Sequence, residues 1–275
     1  MENNVLVSVV LHNPDRNDFL KLLKSLIASN FADGLRVDVC FVDNSKNVSD
    51  FVEKAVADFP VKDALKLFYL HTAKNLGYGG ANNLVFNKYD INRENGVKYD
   101  YFIIINPDIY FGSDLIKNVV EQMRSVTNGI GLASVKILNP DGSIQYVHRK
   151  FPTRFDILAR TIARITGGSV FKNLTQEQEM RECYNNSNGY FNAEMISGCF
   201  MVFKADAFKT IGGFDEKFFM YYEDMDVSLR CKRLYRNAVF TNLFVYHKWK
   251  RGSGKSLKLF IIHLVSFLRY FSKNG

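Results

Sequence analysis

The sequence predicts an α/β fold in which a mostly parallel, Rossmann-like sheet is flanked by helices, with an amphipathic helix at the C-terminus. Three observations predict it. Apolar runs of strand length alternate with stretches of helical periodicity through the first 125 residues, the pattern of βαβ units. Polar or acidic residues stand directly behind those runs, as in VLVSVVL-HN, CFV-DN and FIII-NPD, and in open α/β sheets ligands gather at the carboxyl ends of strands. Finally, 47% of the 275 residues are hydrophobic and 14% aromatic, enough for one large α/β domain.

Taken in order, Val5–Leu11 reads as a strand closed by the turn HNPD. Residues 16–29 bring Phe19, Leu23, Leu26 and Ile27 to one helical face. RVDVCFVDN is a second strand ending in Asp43, and VSDFVEKAVADF a helix that Ser49 or Asp50 can cap. LKLFYL is a third strand, and NLGYGGANN reads as a glycine-rich loop leading into LVFNKY. YDYFIIIN is the fourth strand and SDLIKNVVEQM another helix. Beyond Ile130 the alternation breaks down. GLASVKIL and SIQYVH are strands around an NPDG turn. Residues 151–190 form an insertion with a helix at DILARTIARI. MISGCFMVFK is strand-like, ADAFKT is a short helix, and a helix starts near Glu223 with Val227, Cys231 and Leu234 on one face. NAVFTNLFVYH is the last strand.

The net charge of +8 suits an anionic membrane surface or a phosphorylated substrate. Arg and Lys are dense after residue 230 and sparse in the first hundred, without an aromatic-studded basic sheet or zinc-finger spacing. Nucleic acid is therefore not an expected partner. Cys40, Cys183, Cys199 and Cys231 show no metal-ligand spacing and read as free thiols in a reducing compartment. The N-terminus has neither the basic start nor the apolar core of a signal peptide, so a cytoplasmic protein is expected. An acid behind a strand, such as Asp108, is either a turn former or part of a site, and the residue pattern alone leaves both open.

The pieces VSVVLHN, CFVDNS, NLGYGGANN, IINPDIYF, SGCFMVFKADAFKTIGGFDEKFFMYYEDMDVSLR and VYHKWKRGSGKS occur in this order between residues 5 and 256. Together they resemble the inverting glycosyltransferases of family 2, with the GT-A fold, and in particular the branch of bacterial rhamnosyltransferases. The GGFDE…FFMYYEDMDVSLR block is the most specific of them. The resemblance implies a transferase domain over 1–250, with a nucleotide-sugar half at 1–125 and an acceptor and catalytic half at 126–250. Residues 251–275 are left as a basic loop and tail.

Inverting transfer needs a base for the acceptor hydroxyl, positive charge for the departing diphosphate and a slot for the nucleoside. The resemblance gives each role a residue. Asp43 would accept the imide N–H of a uracil or thymine. His12 and Asn13, with Asn75, Gly77, Tyr78 and Gly80, would surround the nucleotide, glycine letting the backbone approach closely. Asn106 and Asp108 stand where the family has its acidic metal motif, the first acid being Asn here. Asp108 and His247 would hold a divalent cation, Mn²⁺ or Mg²⁺. Asp224, with Glu223 as runner-up, would be the base. Their place at a helix start favours the ionised form and weakens a base, and neighbours about 100° apart cannot both face the sugar. Arg251 and Lys255 would close on the diphosphate. A nucleotidyltransferase is the alternative enzyme, but LHNPDRND lacks the basic glycine loop expected there. A degenerate, non-catalytic membrane partner is the other alternative.

In KSLKLFIIHLVSFLRYFSKNG, written as a helix, Lys255, Lys258, His263, Ser266, Arg269 and Lys273 fall mostly on one side. Leu257, Phe260, Ile261, Leu264, Leu268 and Phe271 fill the other. The apolar run of roughly 15 residues is short of the roughly 20 that span a bilayer. A helix lying in an anionic leaflet is expected, with docking on the domain or a homodimer contact as alternatives. Relatives acting on lipid-linked saccharides imply an acceptor of that kind and a position at the inner face of the bacterial membrane.

Overall fold

In β1 (Asn3–Leu11) and β2 (Leu35–Asp43), Val5, Val7, Val9, Val37, Val39 and Phe41 alternate with Leu6, Cys40 and Val42. Both sets are buried, one on each face, as central parallel strands require. The computed structural model describes residues 3–31, 34–60, 64–126, 129–151, 177–186, 189–248 and 257–274. β3 (Leu65–His71), β4 (Tyr101–Ile105), β5 (Ile109–Tyr110), β6 (Ile130–Leu138), β9 (Phe200–Lys204) and β10 (Arg236–His247) complete the main path. Its order is β3-β2-β1-β4-β9-β6-β10-β5, with β7 (Ile144–Gln145) on β6 and β8 (Tyr190–Asn192) on β10. The longest ladders, β1 with β2, β2 with β3 and β6 with β10, are parallel. β9 lies antiparallel between β4 and β6. It therefore stitches the early strands to the late ones.

Register decides what gathers at the strand ends. Leu11 pairs with Asp43 and Asp43 with His71, so the residues following β1, β2 and β3 emerge side by side. The helices α1 (Arg16–Ile27), α2 (Asp50–Ala57) and α4 (Leu115–Ser125) cover one face. Asp15 caps α1 by accepting from the amides of Asn17 and Asp18. The buried stripe of α1 is Phe19, Leu22, Leu23 and Leu26; Ile27, expected there, is 40% exposed. The opposite face carries α3 (Gly77–Phe86), α6 (Ala205–Thr210) and α7 (Glu223–Lys232), with Phe86, Phe102, Phe203 and Phe208 in ring contact.

Several sequence expectations need correction. NLGYGGANN is the start of α3 rather than a loop. Two of its glycines admit a close approach of protein: a Cβ at Gly77 would lie 2.4 Å from the Phe219 carbonyl oxygen, and one at Gly79 would lie 2.8 Å from Phe214 Cβ. At Gly80 the neighbours are Leu76 and Glu216. Packing on the 214–219 segment overrides the low helix propensity of three glycines. Leu234 lies past α7 and is 62% exposed. In the insertion, α5 (Arg181–Asn186) precedes β8, while the expected helix at 156–165 lies outside the described residues.

The C-terminal helix α8 (Leu257–Asn274) is present, but the side expected to face water is the one that docks. Ser266 donates to the Met220 carbonyl at 2.9 Å, Lys273 Nζ lies 2.8 Å from Asp215, and Arg269 donates to the Lys217 carbonyl. Phe271 packs beside Tyr270 and Phe218. Phe260, Ile261, Leu264, Val265 and Leu268 are each 45–59% exposed. Free carbonyls and carboxylates on the 215–226 segment ask for donors, so the polar stripe of the helix turns inward. Among the described residues no helix is long and apolar enough to cross a membrane.

Gly77 combines φ +75° with backbone contact, so Gly77→Ala incurs both left-handed strain and overlap. It should lose about 2–4 kcal/mol of unfolding free energy, seen as a lower urea midpoint. A midpoint equal to the parent's would remove the close approach as its reason.

Candidate active site

Behind β1 and β2 the chain builds a polar rim. Asn13 adopts φ 48° and its amide donates to Ser45 Oγ at 2.7 Å. His12 Nδ1 lies 3.2 Å from the Asn44 carbonyl. Asn75 accepts from the Gly77 amide through Oδ1 and brings Nδ2 to 3.4 Å from His12. His12, Asn13 and Asn75 are all exposed around this rim.

Asp43 has a different place from the one expected. Its side chain is fully buried, Oδ1 accepting from the Ser45 amide and Oδ2 from the Ser49 amide and the Tyr69 hydroxyl. Burial alone would raise its pKa, yet the hydrogen bonds from Ser45, Ser49 and Tyr69 hold it below the ordinary carboxylate value. Asp43 thus shapes the 44–49 loop from beneath instead of presenting a carboxylate to a nucleobase.

Asp108 follows β4 and faces the end of β10: Oδ1 lies 3.4 Å from His247 Nε2. Gln145 sets the state of that ring. Its Nε2 donates to the His247 carbonyl at 2.7 Å, which fixes its Oε1 as the atom 3.0 Å from His247 Nδ1. Nδ1 must then carry the proton and donate, which turns Nε2 toward Asp108. An oriented imidazole held through its other nitrogen is how proteins present a histidine ligand. One carboxylate and one imidazole would suit Mn²⁺, and Mg²⁺ less well. Among the described residues no cluster of three His, Cys, Asp or Glu ligands forms. Asp108 and His247 would fit a divalent cation.

The turn Ile196–Cys199 joins this corner to α7. The Asn106 amide donates to the Cys199 carbonyl at 2.9 Å, and the Gly198 amide donates to Asp224 Oδ2 at 3.1 Å. Tyr78, expected beside the ribose, is instead at this turn, its hydroxyl donating to the Gly198 carbonyl. Burial first, with the charges of Asp108 and Asp224 adding to it, raises the Cys199 thiol to about 12. Both acids therefore act on one residue. His148, missed in the sequence, supports the turn by accepting from the Ser197 amide and contacting the Val135 carbonyl through Nε2. Burial lowers its pKa to about 4, keeping it neutral.

Glu223 and Asp224 open α7 behind two tyrosines in left-handed conformation, Tyr221 at φ 70° and Tyr222 at φ 66°. Asp224 Oδ1 accepts from the Met225 amide at 2.9 Å. Glu223 is buried, and its Oε2 has no hydrogen-bond partner. Burial first and Asp224 second push Glu223 up to about 8. Burial raises Asp224 as well, against the amides of Gly198 and Met225. The helix terminus was expected to lower these values; loss of water outweighs it. Carboxyls moved toward neutrality are better matched to proton transfer at neutral pH. Arg251 and Lys255 lie outside the described residues. Lys248, not anticipated, sits next to His247 with its amide 3.3 Å from the Asp108 carbonyl and its Nζ 2.9 Å from Asp18.

A mostly parallel sheet flanked by helices, with polar side chains gathered at its strand ends, has the architecture of the GT-A glycosyltransferases. The family model Glycosyl transferase family 2 matches residues 7–212, and the chain belongs to that family. It is 28% identical over 167 residues to the N-acetylglucosaminyl-diphospho-decaprenol L-rhamnosyltransferase of Mycobacterium tuberculosis, covering 58% of this chain and 52% of that one. It thus spans about half the length of that relative. The Rhamnosyltransferase WbbL of Escherichia coli is 24% identical over 201 residues, 72% of this chain and 70% of that one. Among solved structures, the mannosyltransferase PcManGT of Pyrobaculum calidifontis, in complex with GDP-Man and Mn²⁺, has the same fold. Its TM-score is 0.62 at 16% identity, over 100% of this chain and 66% of that one.

Glu223 keeps its proton to about pH 8 in the folded chain but releases it near 4.5 when unfolded. Its contribution to stability is complete below the lower value and fades as pH rises through the upper one. Glu223→Gln should therefore flatten the fall in Tm between about pH 5 and about pH 8 by several degrees, as calorimetry would read. An unaltered slope would mean that the carboxyl is not held protonated.

Proposed function

We propose that the protein is an inverting glycosyltransferase that moves a sugar, rhamnose in the first instance, from a dTDP- or UDP-sugar to a hydroxyl of a lipid-linked saccharide. The observation that carries this reading is the Gly198–Cys199 turn, which brings the segments of Asp108 and Asp224 onto adjacent peptides. Residues 1–125 would hold the donor and 126–250 the acceptor. The rim of His12, Asn13 and Asn75 would line the nucleoside, with Asp43 bracing its floor. Asp108 and His247 would hold Mn²⁺ or Mg²⁺, whose charge offsets that of the leaving diphosphate.

Asp224 takes the proton of the acceptor hydroxyl as that oxygen bonds to the anomeric carbon. The bond from that carbon to the diphosphate oxygen breaks on the opposite side, the leaving group keeps the electron pair, and configuration inverts. Glu223, protonated beside it, leaves the pair with one negative charge, which suits a base flanking an incoming alcohol. The rhamnosyltransferase relatives support the sugar, and the decaprenol carrier in the mycobacterial relative's name supports the acceptor class. The outward stripe of Phe260, Ile261, Leu264, Val265 and Leu268, on a chain of net charge +8, supports attachment to an anionic leaflet at the inner face of the bacterial membrane.

Asp224→Asn should leave nucleotide binding intact and lower turnover by about 10²–10⁴-fold; wild-type turnover in this variant would remove Asp224 as base. Asp108→Ala should abolish the gain in UDP or dTDP affinity that Mn²⁺ confers, and calorimetry that finds the gain intact would count against a cation there. Phe260→Ser, Leu264→Ser and Leu268→Ser together should release the protein from phosphatidylglycerol vesicles. Retention on the vesicles, or a change in oligomeric state instead, would transfer the stripe to another partner.

A further inference from the structure

The left-handed pair Tyr221–Tyr222 is the feature least explained by its own sequence. Bulky residues rarely adopt positive φ, and each instance costs about 1–3 kcal/mol unless its surroundings impose it. Two in succession stand immediately before Glu223 and Asp224. Their direction sets where α7 begins and where its first side chains point.

The surroundings that impose it belong to α8. Before the pair, Ser266 donates to the Met220 carbonyl at 2.9 Å, Arg269 donates to the Lys217 carbonyl, and Lys273 Nζ meets Asp215 at 2.8 Å. At the pair itself, His263 lies against both tyrosine rings at 5.3 Å, and Tyr270 lies 5.7 Å from Tyr222. After the pair, the same Lys273 Nζ is 2.8 Å from Asp226, which is fully buried and also 2.8 Å from Arg230. His263, Ser266, Tyr270 and Lys273 recur at three- and four-residue spacing, one face of a helix. One cation thus joins the residues on either side of the turn. A buried carboxylate that loses one of two partners is strongly destabilised where it stands.

We propose that α8 is a positioning element of the active site: Lys273, with Ser266, holds the Tyr221–Tyr222 turn and through it aims Asp224 at the Gly198 amide. Neither is a catalytic residue. The inference rests on Asp224 being the base only for its effect on turnover; the aim itself is a structural statement about a bond 26 residues across the chain.

The test uses the full chain with Lys273→Met, Lys273→Arg and Ser266→Ala. Hydrogen exchange should quicken at the Gly198 amide, which bonds Asp224 and makes no bond to α8, while exchange in β1, β2 and β4 stays at parental rates. In a transfer assay kcat should drop about 10- to 100-fold in Lys273→Met, with UDP or dTDP affinity in Mn²⁺ unchanged and Lys273→Arg restoring most of the rate. Parental exchange at Gly198 in both Lys273→Met and Ser266→Ala would overturn the proposal. So would faster exchange throughout the sheet, since α8 would then serve stability alone. If the parent transfers no sugar from any dTDP or UDP donor, the proposed function fails, and the exchange data still decide the positioning role.

Discussion

Two amide hydrogen bonds, from Asn106 to Cys199 and from Gly198 to Asp224, are the constraint on which the arrangement depends. They are short-range bonds between residues far apart in sequence. They exist because β9 runs antiparallel into the gap between β4 and β6. Reversing direction there delivers the start of β9 to the carboxyl end of β4, where a parallel strand would have delivered its far end. The residues just before β9 therefore lie beside those just after β4. The crossing is closely packed: a Cβ on Gly198 would touch the Tyr78 ring at 3.4 Å and Asp224 Cβ at 3.5 Å, both ordinary contact distances.

The electrostatics follow from this crowding. The acids Asp108, Glu223 and Asp226 meet different surroundings. Asp226 is compensated by Arg230 and Lys273. Asp108 faces an imidazole whose tautomer Gln145 dictates. Glu223 Oε2 is left without a hydrogen-bond partner, and burial raises the pKa of its carboxyl. Neighbouring carboxyls in surroundings this different can take different parts in one reaction.

Much of the fold was legible because strand and helix periods are local signals. The runs ending in Leu11, Asp43 and Ile105 are apolar on both faces, and their polar successors mark the strand ends. The free state of the four cysteines followed from their spacing. Legibility stops where a partner distant in sequence decides. The glycines of α3 read as a loop because the Phe214–Phe219 segment that makes them helical is about 140 residues away. Asp43 looks available until Tyr69 and Ser49 fold onto it. The tail's amphipathicity was plain, but its orientation depends on unpaired carbonyls at Lys217 and Met220 that no pattern announces. Gln145 and His148, unmarked polar residues after β6, carry no sequence signal for their roles.

The docking of α8 on residues 215–226 has a consequence for synthesis on the ribosome. Domains emerge from the N-terminus onward, so β1 to β4 can pair while the rest of the polypeptide is still being made. The turn ahead of Glu223 must wait for residues 263–273, which are translated later. A nascent chain would thus complete the pairing of β1 to β4 well before the residues ahead of Glu223 are held in place.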